Sequence, residues 1–594
     1  MISAFRGFGR YVAVTRANIG GHFYSMWALG IVAAAFEGVG ILLFVPILTR
    51  LASEDAAPAE GMLAGALERW AEGRSIEALL LMMVGLFTAK GLLVFVVGSY
   101  RVRVFNRSRE RMRTDVFERL GRVRIRDIEA KRLGALGNLL VREIDSAGHA
   151  MDRVCAAIGS LTTATLLFVV AVVLHPPLAA VLAASGLVSL LLTRRFSRAR
   201  AAISRRATSA AGRLASLSVE GMQAFKYLRA TGRFPVVQRA FARAAGAARA
   251  IDDRAAVVDW TRVAIREPLL VMWIGAVFYI FVVSLRQSLG VITDGILFFY
   301  RVSIELMWFQ DYWHDAASSI GSIDAYERLR SELDRAAEPE DHGTPFRFDE
   351  SIRLERVAFR YGAKHVVRGL DLTIEKRQTV AIVGTSGAGK STLLDLIAGC
   401  VEPDEGAVMI DDADLRAIRG LEYRAALGYV TQESVVFSGS VARNVTMRWD
   451  RDLDDSTLER AREAARLANC LELIEGLEDG WDSELGERGH RRSGGERQRI
   501  AIARELYREP ELLILDEATS ALDSVSERAV QRSLELLHGR LTVLIVAHRL
   551  STIRHASVIH VLEGGRIVES GKFDELVNRD GGRFRALCQM QSLV

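Results

Sequence analysis

Six stretches in the first half of the chain are apolar over roughly the 20 residues that an α-helix needs to cross a bilayer. Such runs predict membrane-spanning helices, because a shorter segment would not cross the bilayer and a more polar one would leave charge in the hydrocarbon layer. The predicted spans lie near 25–49, 78–99, 153–174, 177–194, 264–285 and 289–310.

The polar segments between these spans differ in charge. Residues 101–126 and 194–206 follow the second and fourth spans and are rich in Arg, whereas 53–60 (SEDAAPAE) is acidic. Since positive charge accumulates on the cytosolic side, we expect both termini in the cytosol. The segments 101–150 and 195–260 show helical periodicity without long apolar runs, which predicts helices that project into the cytosol. They either couple the membrane part to the rest of the chain or are solvated helical surface.

The pattern changes after a polar segment with two prolines at 334–348. Short β-like runs then alternate with helical segments, which is typical of an α/β nucleotide-binding domain. We therefore predict a multidomain membrane protein, with an all-α six-helix transmembrane domain at 1–333, a linker at 334–348 and an α/β domain at 349–594. The four clearest β-like runs are 379–383, 426–430, 511–515 and 541–546.

Composition supports a membrane protein with a soluble part. Of the 594 residues 50% are hydrophobic and 25% are charged, and the mean hydropathy is +0.16. The net charge of +5 does not indicate nucleic acid, because the Arg-rich stretches lie beside apolar runs. The four cysteines are widely spread and form no CxxC pair, so neither a zinc site nor a disulfide framework is predicted.

A phosphate-binding loop follows the run at 379–383. The sequence GTSGAGKS fits GxxxxGK[ST] and opens an apolar helix, which is the strand-loop-helix context that the motif requires. Glycines let backbone N–H groups approach phosphate oxygens, the lysine adds a positive charge, and the serine hydroxyl can bind Mg²⁺. The predicted ATP-binding residues are Gly384, Thr385, Ser386, Gly387, Ala388, Gly389, Lys390, Ser391 and Thr392.

Two acidic residues, Asp516 and Glu517, follow a second apolar run. The carboxyl edge of a parallel sheet is where ligands bind, so we expect both side chains beside the phosphate loop. Asp516 is predicted to hold Mg²⁺ and Glu517 to polarise the attacking water. An acidic pair can also simply begin a helix, but the phosphate loop upstream favours catalysis.

Together these motifs resemble the ATP-binding cassette (ABC) transporter family of the exporter type, over essentially the whole chain. Ser493-Gly494-Gly495, followed by RQRIAIAR, resembles the family signature, which caps the γ-phosphate held by the opposite subunit of a dimer. The resemblance further implies that Tyr361 stacks on adenine. Gln432 is similar to a glutamine that senses Mg²⁺ and contacts the membrane domain, and His548 to a switch histidine on the γ-phosphate.

Other segments resemble parts of exporters that connect subunits or domains. Ser520 to Asp523 is similar to a loop that runs across the dimer, and 484–489 to the segment that links the cassette to intracellular helices. The segment 219–234 is similar to the second coupling region. The resemblance implies that Asp523 belongs to the nucleotide site.

The signature departs from the family pattern, which reads Leu-Ser-Gly-Gly-Gln. This chain has Arg492 before the serine and Glu496 in place of the glutamine. The two are four residues apart and could pair on one helix face. The change is either neutral, or it slows the ATPase or points to a partner with a complementary signature, because a negative charge near a phosphate is unfavourable.

Several charged residues interrupt the predicted spans. Buried charge in a bilayer costs a few kcal/mol, so these residues should face a cavity or pair with one another. Glu37 and Glu267 are candidates for substrate contact, with interhelical pairing as the alternative. The others are Arg266, Asp294, Arg301 and Glu305.

The sequence thus predicts an ATPase that exports or flips an amphipathic substrate by alternating access, using ATP and Mg²⁺. One membrane domain and one cassette make up half of a complete transporter, so a homodimer is expected. Its expected location is a bacterial plasma membrane. The substrate would be a lipid, a lipid-linked molecule, a hydrophobic peptide or a drug-like cation. The alternatives are one half of a heterodimeric exporter and a non-transporting ATP-gated regulator; a soluble cassette acting on nucleic acid would not need six spans.

Overall fold

The computed structural model describes most of the chain, in two compact units. The first unit ends at Ala337 and the second begins at Glu338, inside the segment 334–348 that we propose as the linker. His548, Asp523 and residues 487–492 lie outside the described part. The described residues are 2–44, 46–47, 69–125, 139–174, 176–284, 289–338, 343–449, 453–486, 493–517, 524–547 and 549–592.

The described residues of the first unit are helical almost throughout. Short π-helical turns at Leu139–Glu143 and Ile280–Ser284 adjoin two of its helices. The helices are α1 (Ile2–Ile19), α2 (His22–Leu42), α3 (Ile76–Leu120), α4 (Ile144–Leu174), α5 (Pro176–Gln223), α6 (Phe225–Ala230), α7 (Phe234–Tyr279), α8 (Leu289–Ser318) and α9 (Ile320–Arg335).

Four of the described helices are long and apolar enough to cross a membrane, judged by length and composition, and they overlap the first four predicted spans: His22–Leu42, Ile76–Leu120, Ile144–Val173 and Ala179–Gln223. The fifth predicted span falls on the end of α7 and the π turn after it, and the sixth on α8. Arg266 and Glu267 lie in the fifth, and Arg301 and Glu305 in the sixth, which makes both less apolar.

Three helices are more than twice as long as a membrane span requires. α3 has 45 residues, α5 has 48 and α7 has 46. At 1.5 Å per residue, about 25 residues beyond a span extend a helix by roughly 40 Å. The Arg-rich segments 101–120 and 195–223 are therefore continuous helical extensions of spans. A core of buried side chains from α3, α4 and α9 holds this region, including Phe105, Met151 and Tyr326.

The second unit contains two sheets. β1 (Ser351–Tyr361), β2 (Lys364–Glu375), β4 (Glu405–Ile410) and β5 (Ala413–Asp414) form an antiparallel sheet in the order β2-β1-β4-β5. The other sheet has the order β10-β9-β3-β8-β7-β6 and is parallel except for β10. Its strands are β3 (Thr379–Gly384), β6 (Leu427–Val430), β7 (Leu512–Asp516), β8 (Thr542–Val546), β9 (Val558–Glu563) and β10 (Arg566–Gly571).

The central strands are apolar along their whole length because both faces of the parallel sheet are covered. In β3, Val380 and Ile382 belong to the core shared with the antiparallel sheet. Ala381 and Val383 belong to the core formed with the helices on the other face. The four β-like runs of the sequence analysis correspond to β3, β6, β7 and β8, which confirms the α/β fold of this unit.

Helices alternate with the strands of the second unit along the chain, and several of them pack against the parallel sheet. They are α10 (Lys390–Ile397), α11 (Gly420–Ala425), α12 (Val441–Thr446), α13 (Asp455–Leu467), α14 (Leu471–Glu475), α15 (Gly494–Tyr507), α16 (Ser524–Leu537), α17 (Leu550–Ile553), α18 (Phe573–Val577) and α19 (Arg583–Ser592).

Candidate functional site

The phosphate loop connects β3 to α10, as the motif predicts. Gly389, which precedes α10, has φ of 104°, a conformation that residues with a side chain rarely adopt. A Cβ atom on Gly389 would lie 3.0 Å from the carbonyl oxygen of Val366 in β2. A Cβ on Gly565, in the turn between β9 and β10, would lie 2.3 Å from the same oxygen. The glycines therefore allow three backbone segments to meet at this loop.

Lys390 lies across the phosphate loop. Its ammonium group donates hydrogen bonds to the carbonyl oxygens of Gly384 at 2.9 Å and Thr385 at 3.1 Å. Burial lowers the pKa of the Lys390 ammonium group, while the carboxylates of Glu517 and Asp516 raise it. A phosphate group at the loop would offer this cation stronger partners than neutral carbonyl oxygens.

The acidic pair lies at the carboxyl edge of the parallel sheet, as expected. Asp516 ends β7, and the backbone N–H of Glu517 donates to the carbonyl oxygen of Val546 at 2.9 Å. Glu517 has φ of 47°, which is unusual for a residue other than glycine and often occurs at functional sites. Gln432, two residues after β6, donates from its side-chain amide to a carboxylate oxygen of Glu517 at 2.8 Å.

An open cavity of about 770 Å³ contains most of these groups. Besides the loop, it is lined by side chains that no motif indicated: Lys364, His365 and Arg368, all from β2. Their position follows from the packing of the antiparallel sheet beside the phosphate loop, which a local motif does not encode. Among the predicted residues, Ser386, Gly387, Gly389, Lys390, Ser391, Thr392, Gln432 and Glu517 line the cavity.

The predicted metal ligands are Ser391, Gln432 and Asp516. A hydroxyl, a side-chain amide oxygen and a carboxylate are oxygen donors of the kind that Mg²⁺ prefers, and such sites usually add phosphate oxygens and water. The described residues include no group of three or more His, Cys, Asp or Glu suited to a metal ion. The three oxygen donors fit Mg²⁺ bound together with a nucleotide, whose phosphate oxygens would supply further ligands.

Tyr361 ends β1 and pairs with Lys364 across the β1–β2 turn. Its side chain is 40% exposed and packs edge-on against Phe359, with ring centroids 5.0 Å apart. The ring is accessible for stacking, but it is not among the residues that line the cavity. Adenine stacking by Tyr361 stays a prediction.

Ser493 is the N-cap of α15, and Gly494 and Gly495 form its first turn. The backbone N–H of Glu496 donates to the Ser493 hydroxyl at 3.2 Å, and the N–H of Ser493 donates to the Glu496 carboxylate at 3.3 Å. This is a capping box. The pairing of Glu496 with Arg492 is not tested, because Arg492 lies outside the described residues, but the carboxylate has a partner within its own helix terminus.

One buried cation near Gln432 was missed by the sequence analysis. Arg504 of α15 donates to the carbonyl oxygens of Asn444 and Val435, each at 2.7 Å, and to the side-chain oxygen of Asn444 at 2.9 Å. The guanidinium also lies over the Phe437 ring, 5.1 Å from its centroid. Arg504 thereby fixes the backbone that follows Gln432. An arginine within a helical motif carries no sequence signal for this role.

In the membrane unit, Glu37 is buried and paired. Lys90 of α3 donates to its carboxylate at 2.6 Å, and Arg301 of α8 also contacts it. Arg301 further lies 3.6 Å from Glu305. Pairing between helices, the alternative to substrate contact, is thus observed for Glu37, whereas Glu267 is exposed on α7. The side chain of Asp294 lies outside the described part.

The two units define a class of protein: a helical membrane domain joined to a nucleotide-binding domain with a phosphate loop. Two family models match, namely the ABC transporter transmembrane region over residues 27–307 and the ABC transporter domain over 367–520. The ATP-dependent lipid A-core flippase of Chromohalobacter salexigens is 30% identical over 526 residues, which are 86% of this chain and 88% of that protein. The chain belongs to the ABC transporter family, as a membrane-spanning exporter with its own transport ATPase.

Other relatives match over less of their length. The heterocyst differentiation ATP-binding protein HepA of a Nostoc species is 47% identical, but over 39% of this chain and 38% of that protein. The β-(1→2)glucan export ATP-binding/permease protein NdvA of Rhodopseudomonas palustris is 43% identical over 46% of this chain and 43% of that protein. A bacterial Atm1-family ABC exporter with ATP bound superimposes with a TM-score of 0.79 over 98% of this chain and 99% of that one, at 24% identity. This likeness confirms the predicted fold class.

Proposed function

We propose that two copies of this chain form an exporter that moves an amphipathic molecule across the membrane, driven by ATP hydrolysis. The observation that carries the proposal is the shared cavity of Lys390, Gln432 and Glu517 in a chain that also carries a membrane unit. Each nucleotide would bind between two copies, so that its binding energy stabilises a closed state, and hydrolysis would release that state.

Within one copy, the phosphate loop would bind the β- and γ-phosphates through its backbone N–H groups and Lys390. Glu517 would orient and polarise the attacking water, and its hydrogen bond to Gln432 fixes the carboxylate for that purpose. Ser391, Gln432 and Asp516 would hold Mg²⁺, which neutralises charge on the phosphate oxygens.

The second copy would complete the site through Ser493, Gly494 and Gly495. A helix N-terminus presents free N–H groups and a positive dipole end to an anion. The capping box orients this terminus, and the resemblance to the family supports its placement against the partner's nucleotide. Asp523 and His548 are proposed to contact the same nucleotide.

For the substrate, we propose a lipid, a lipid-linked molecule or a hydrophobic peptide. A cavity of about 350 Å³ in the membrane unit is lined by aromatic side chains such as Trp27 and Tyr312, together with Glu37, Lys90 and Arg101. Apolar walls with a few charges suit a molecule with an apolar and a polar part. The names of a lipid A-core flippase and a glucan exporter among the relatives point the same way.

The proposed location is a bacterial plasma membrane, with both termini and the ATPase unit in the cytosol. The Arg-rich extensions of α3 and α5 support this orientation, because positive segments stay on the cytosolic side. Protease protection in sealed vesicles of known orientation tests it; an ATPase unit protected from protease added on the cytosolic face would overturn it.

The proposal is tested by ATP hydrolysis of the chain purified alone into lipid nanodiscs, with lipid-extract and peptide fractions added in turn. The matched control is Glu517→Gln, which keeps the side-chain shape and removes the carboxylate. Activity that is lost in the control and raised by one fraction supports a self-sufficient exporter and identifies the substrate class. Hydrolysis that no fraction changes would favour an ATP-gated regulator.

One observation favours a heterodimer as a second candidate. Glu496 places a carboxylate at the terminus of α15 that would face the partner's phosphate, and like charges oppose each other there. A folded chain that forms dimers alone but hydrolyses no more ATP than Glu517→Gln would support the heterodimer and contradict the homodimer.

A further inference from the structure

A second cavity in the membrane unit lies between α5, α7 and α8 and has no part in the ATP site. Its volume is about 70 Å³, room for a group of several heavy atoms rather than for a whole lipid. One part of the lining is apolar and includes Leu269, Leu270, Trp273 and Leu306. An acyl chain could therefore lie against the wall while a small polar group fills the cavity.

The charged residues that line this cavity are both arginines. Arg262 and Arg266 each contact Asp311, the second at 3.0 Å, and Asp311 is not part of the lining. Two guanidinium groups thus share one carboxylate, which leaves one positive charge in excess. In both arginines the Nε–H group is buried and makes no hydrogen bond within the described residues. A buried donor without a partner is costly, and these two donors belong to residues that line the cavity.

The surroundings leave this positive charge in excess. In the adjoining group, Asp259 is 3.4 Å from Arg200 and is hydrogen-bonded to His314 at 2.5 Å. Three arginines therefore face two aspartates. The remaining polar lining is uncharged and consists of Ser185, Ser189, Ser303 and Gln310. Hydroxyl and amide groups beside two guanidinium groups suit an oxyanion, whereas a cation would be repelled.

We propose that this cavity binds the phosphate group of an anionic lipid taken from the surrounding bilayer, with Arg262 and Arg266 as its ligands. The position agrees with the sequence, because both arginines lie at the start of the predicted span 264–285, where lipid head groups are expected. Binding of this lipid needs neither ATP nor transport, so this inference can fail or hold independently of the proposed function.

The arginines can be tested without leaving a carboxylate unpaired. Arg266→Gln removes one guanidinium but keeps the contact between Arg262 and Asp311. Arg249→Gln is the matched control on the same helix, because that side chain is 83% exposed and pairs with Asp253. Arg266→Lys keeps the charge but loses the planar fork that binds phosphate through two hydrogen bonds. A melting curve for each variant in nanodiscs shows that it is folded.

The assay uses Trp273, which lines the cavity. Phosphatidylglycerol or phosphatidylcholine with brominated acyl chains is titrated into nanodiscs, and tryptophan quenching is compared between the chain and Trp273→Phe; the difference reports on Trp273 alone. We expect half-maximal quenching at an about tenfold lower fraction of phosphatidylglycerol than of phosphatidylcholine. Arg266→Gln should abolish this preference, Arg266→Lys should weaken it, and Arg249→Gln should keep it.

Several results would overturn the proposal. Equal quenching by both lipids would show that no anionic head group is recognised. A preference that survives in Arg266→Gln would show that the arginines are not the ligands. Inorganic phosphate and unbrominated phosphatidylglycerol are each added as competitors of the brominated lipid. If phosphate relieved the quenching as effectively as the unbrominated lipid does, the site would take free phosphate and not a lipid. ATP hydrolysis by the Arg266→Gln variant is measured in parallel. A loss of hydrolysis would bear on the proposed export function and not on lipid binding at this cavity.

Discussion

Arg504→Met should destabilise the ATPase unit strongly, because the arginine donates hydrogen bonds to backbone carbonyl oxygens that are buried away from water. Its guanidinium makes three hydrogen bonds of 2.7 to 2.9 Å to Asn444 and Val435, and Asn444 is 0% exposed. Hydrogen bonds to charged groups contribute about 1.5–3 kcal/mol each. Burial lowers the pKa of Arg504 because it removes the guanidinium from water, and this desolvation offsets part of the gain.

The net loss in the free energy of unfolding should be about 3–5 kcal/mol, because three buried acceptors lose their donors at about 1–3 kcal/mol each and the desolvation cost of the guanidinium is removed as well. For a domain of this size, 1 kcal/mol shifts the melting temperature by about 2–4 °C, so we expect a decrease of roughly 6 to 20 °C. The measurement is thermal unfolding of the purified chain, followed by circular dichroism. ATP hydrolysis should fall as well, because Val435 lies three residues after Gln432.

The control is Arg462→Met, which removes a guanidinium of α13 that is 45% exposed and 3.5 Å from Glu459. Exposed pairs contribute less than about 1 kcal/mol, so this variant should melt within about 2 °C of the unchanged chain. The reasoning would be refuted if Arg504→Met melted as the control does, because the three hydrogen bonds would then contribute nothing net.

Four further outcomes are expected. Glu517→Gln should lower kcat at least about 100-fold while ATP still binds, measured with a fluorescent ATP analogue; unchanged turnover would exclude Glu517 as the group that activates water. Gly389→Ala should weaken ATP binding and lower stability by about 1–2 kcal/mol, because alanine is strained at its positive φ; equal affinity in the two proteins would contradict this. Burial lowers the pKa of His560 to about 4, below its unfolded value of about 6.5, so stability present above pH 6.5 should be lost progressively toward pH 4, by about 2 kcal/mol at pH 5; denaturant titrations of His560→Gln should lack this loss. Glu37→Gln should lower the melting temperature because it leaves two cations without their shared carboxylate, at a cost of about 3 kcal/mol, and adding Lys90→Met should restore part of it; a double variant that melts lower still would argue against the pairing.

The sequence predicted those features that arise from local patterns. The phosphate loop follows from glycines at fixed spacing, and the buried strands β3, β7 and β8 follow from apolar runs with no alternation. Asp516 and Glu517 could be placed beside the loop because carboxyl ends of parallel strands share one edge. Each of these inferences needs only neighbouring residues and a rule about how strands assemble.

Features that depend on long-range packing could not be predicted. Lys364, His365 and Arg368 reach the cavity because a separate antiparallel sheet packs beside the loop. The pairing of Glu37 with Lys90 and Arg301 depends on the rotation of three helices, which hydropathy does not specify. The predicted substrate role of Glu37 therefore competes with a structural role that only the packing reveals.

Three backbone segments meet at the carbonyl oxygen of Val366, and this contact bears on how the ATPase unit can move. Gly389 of the phosphate loop and Gly565 of the β9–β10 turn both pack against this oxygen without a side chain between them. The turn is also tied to β2 by the hydrogen bond from the N–H of Arg368 to Gly565, and to the loop by the one from the N–H of Gly565 to Ala388. Because β2, the turn and the phosphate loop meet through backbone atoms, a displacement of β2 would press directly on the backbone of the loop. A nucleotide that shifted the antiparallel sheet would then also shift the loop that holds its phosphates.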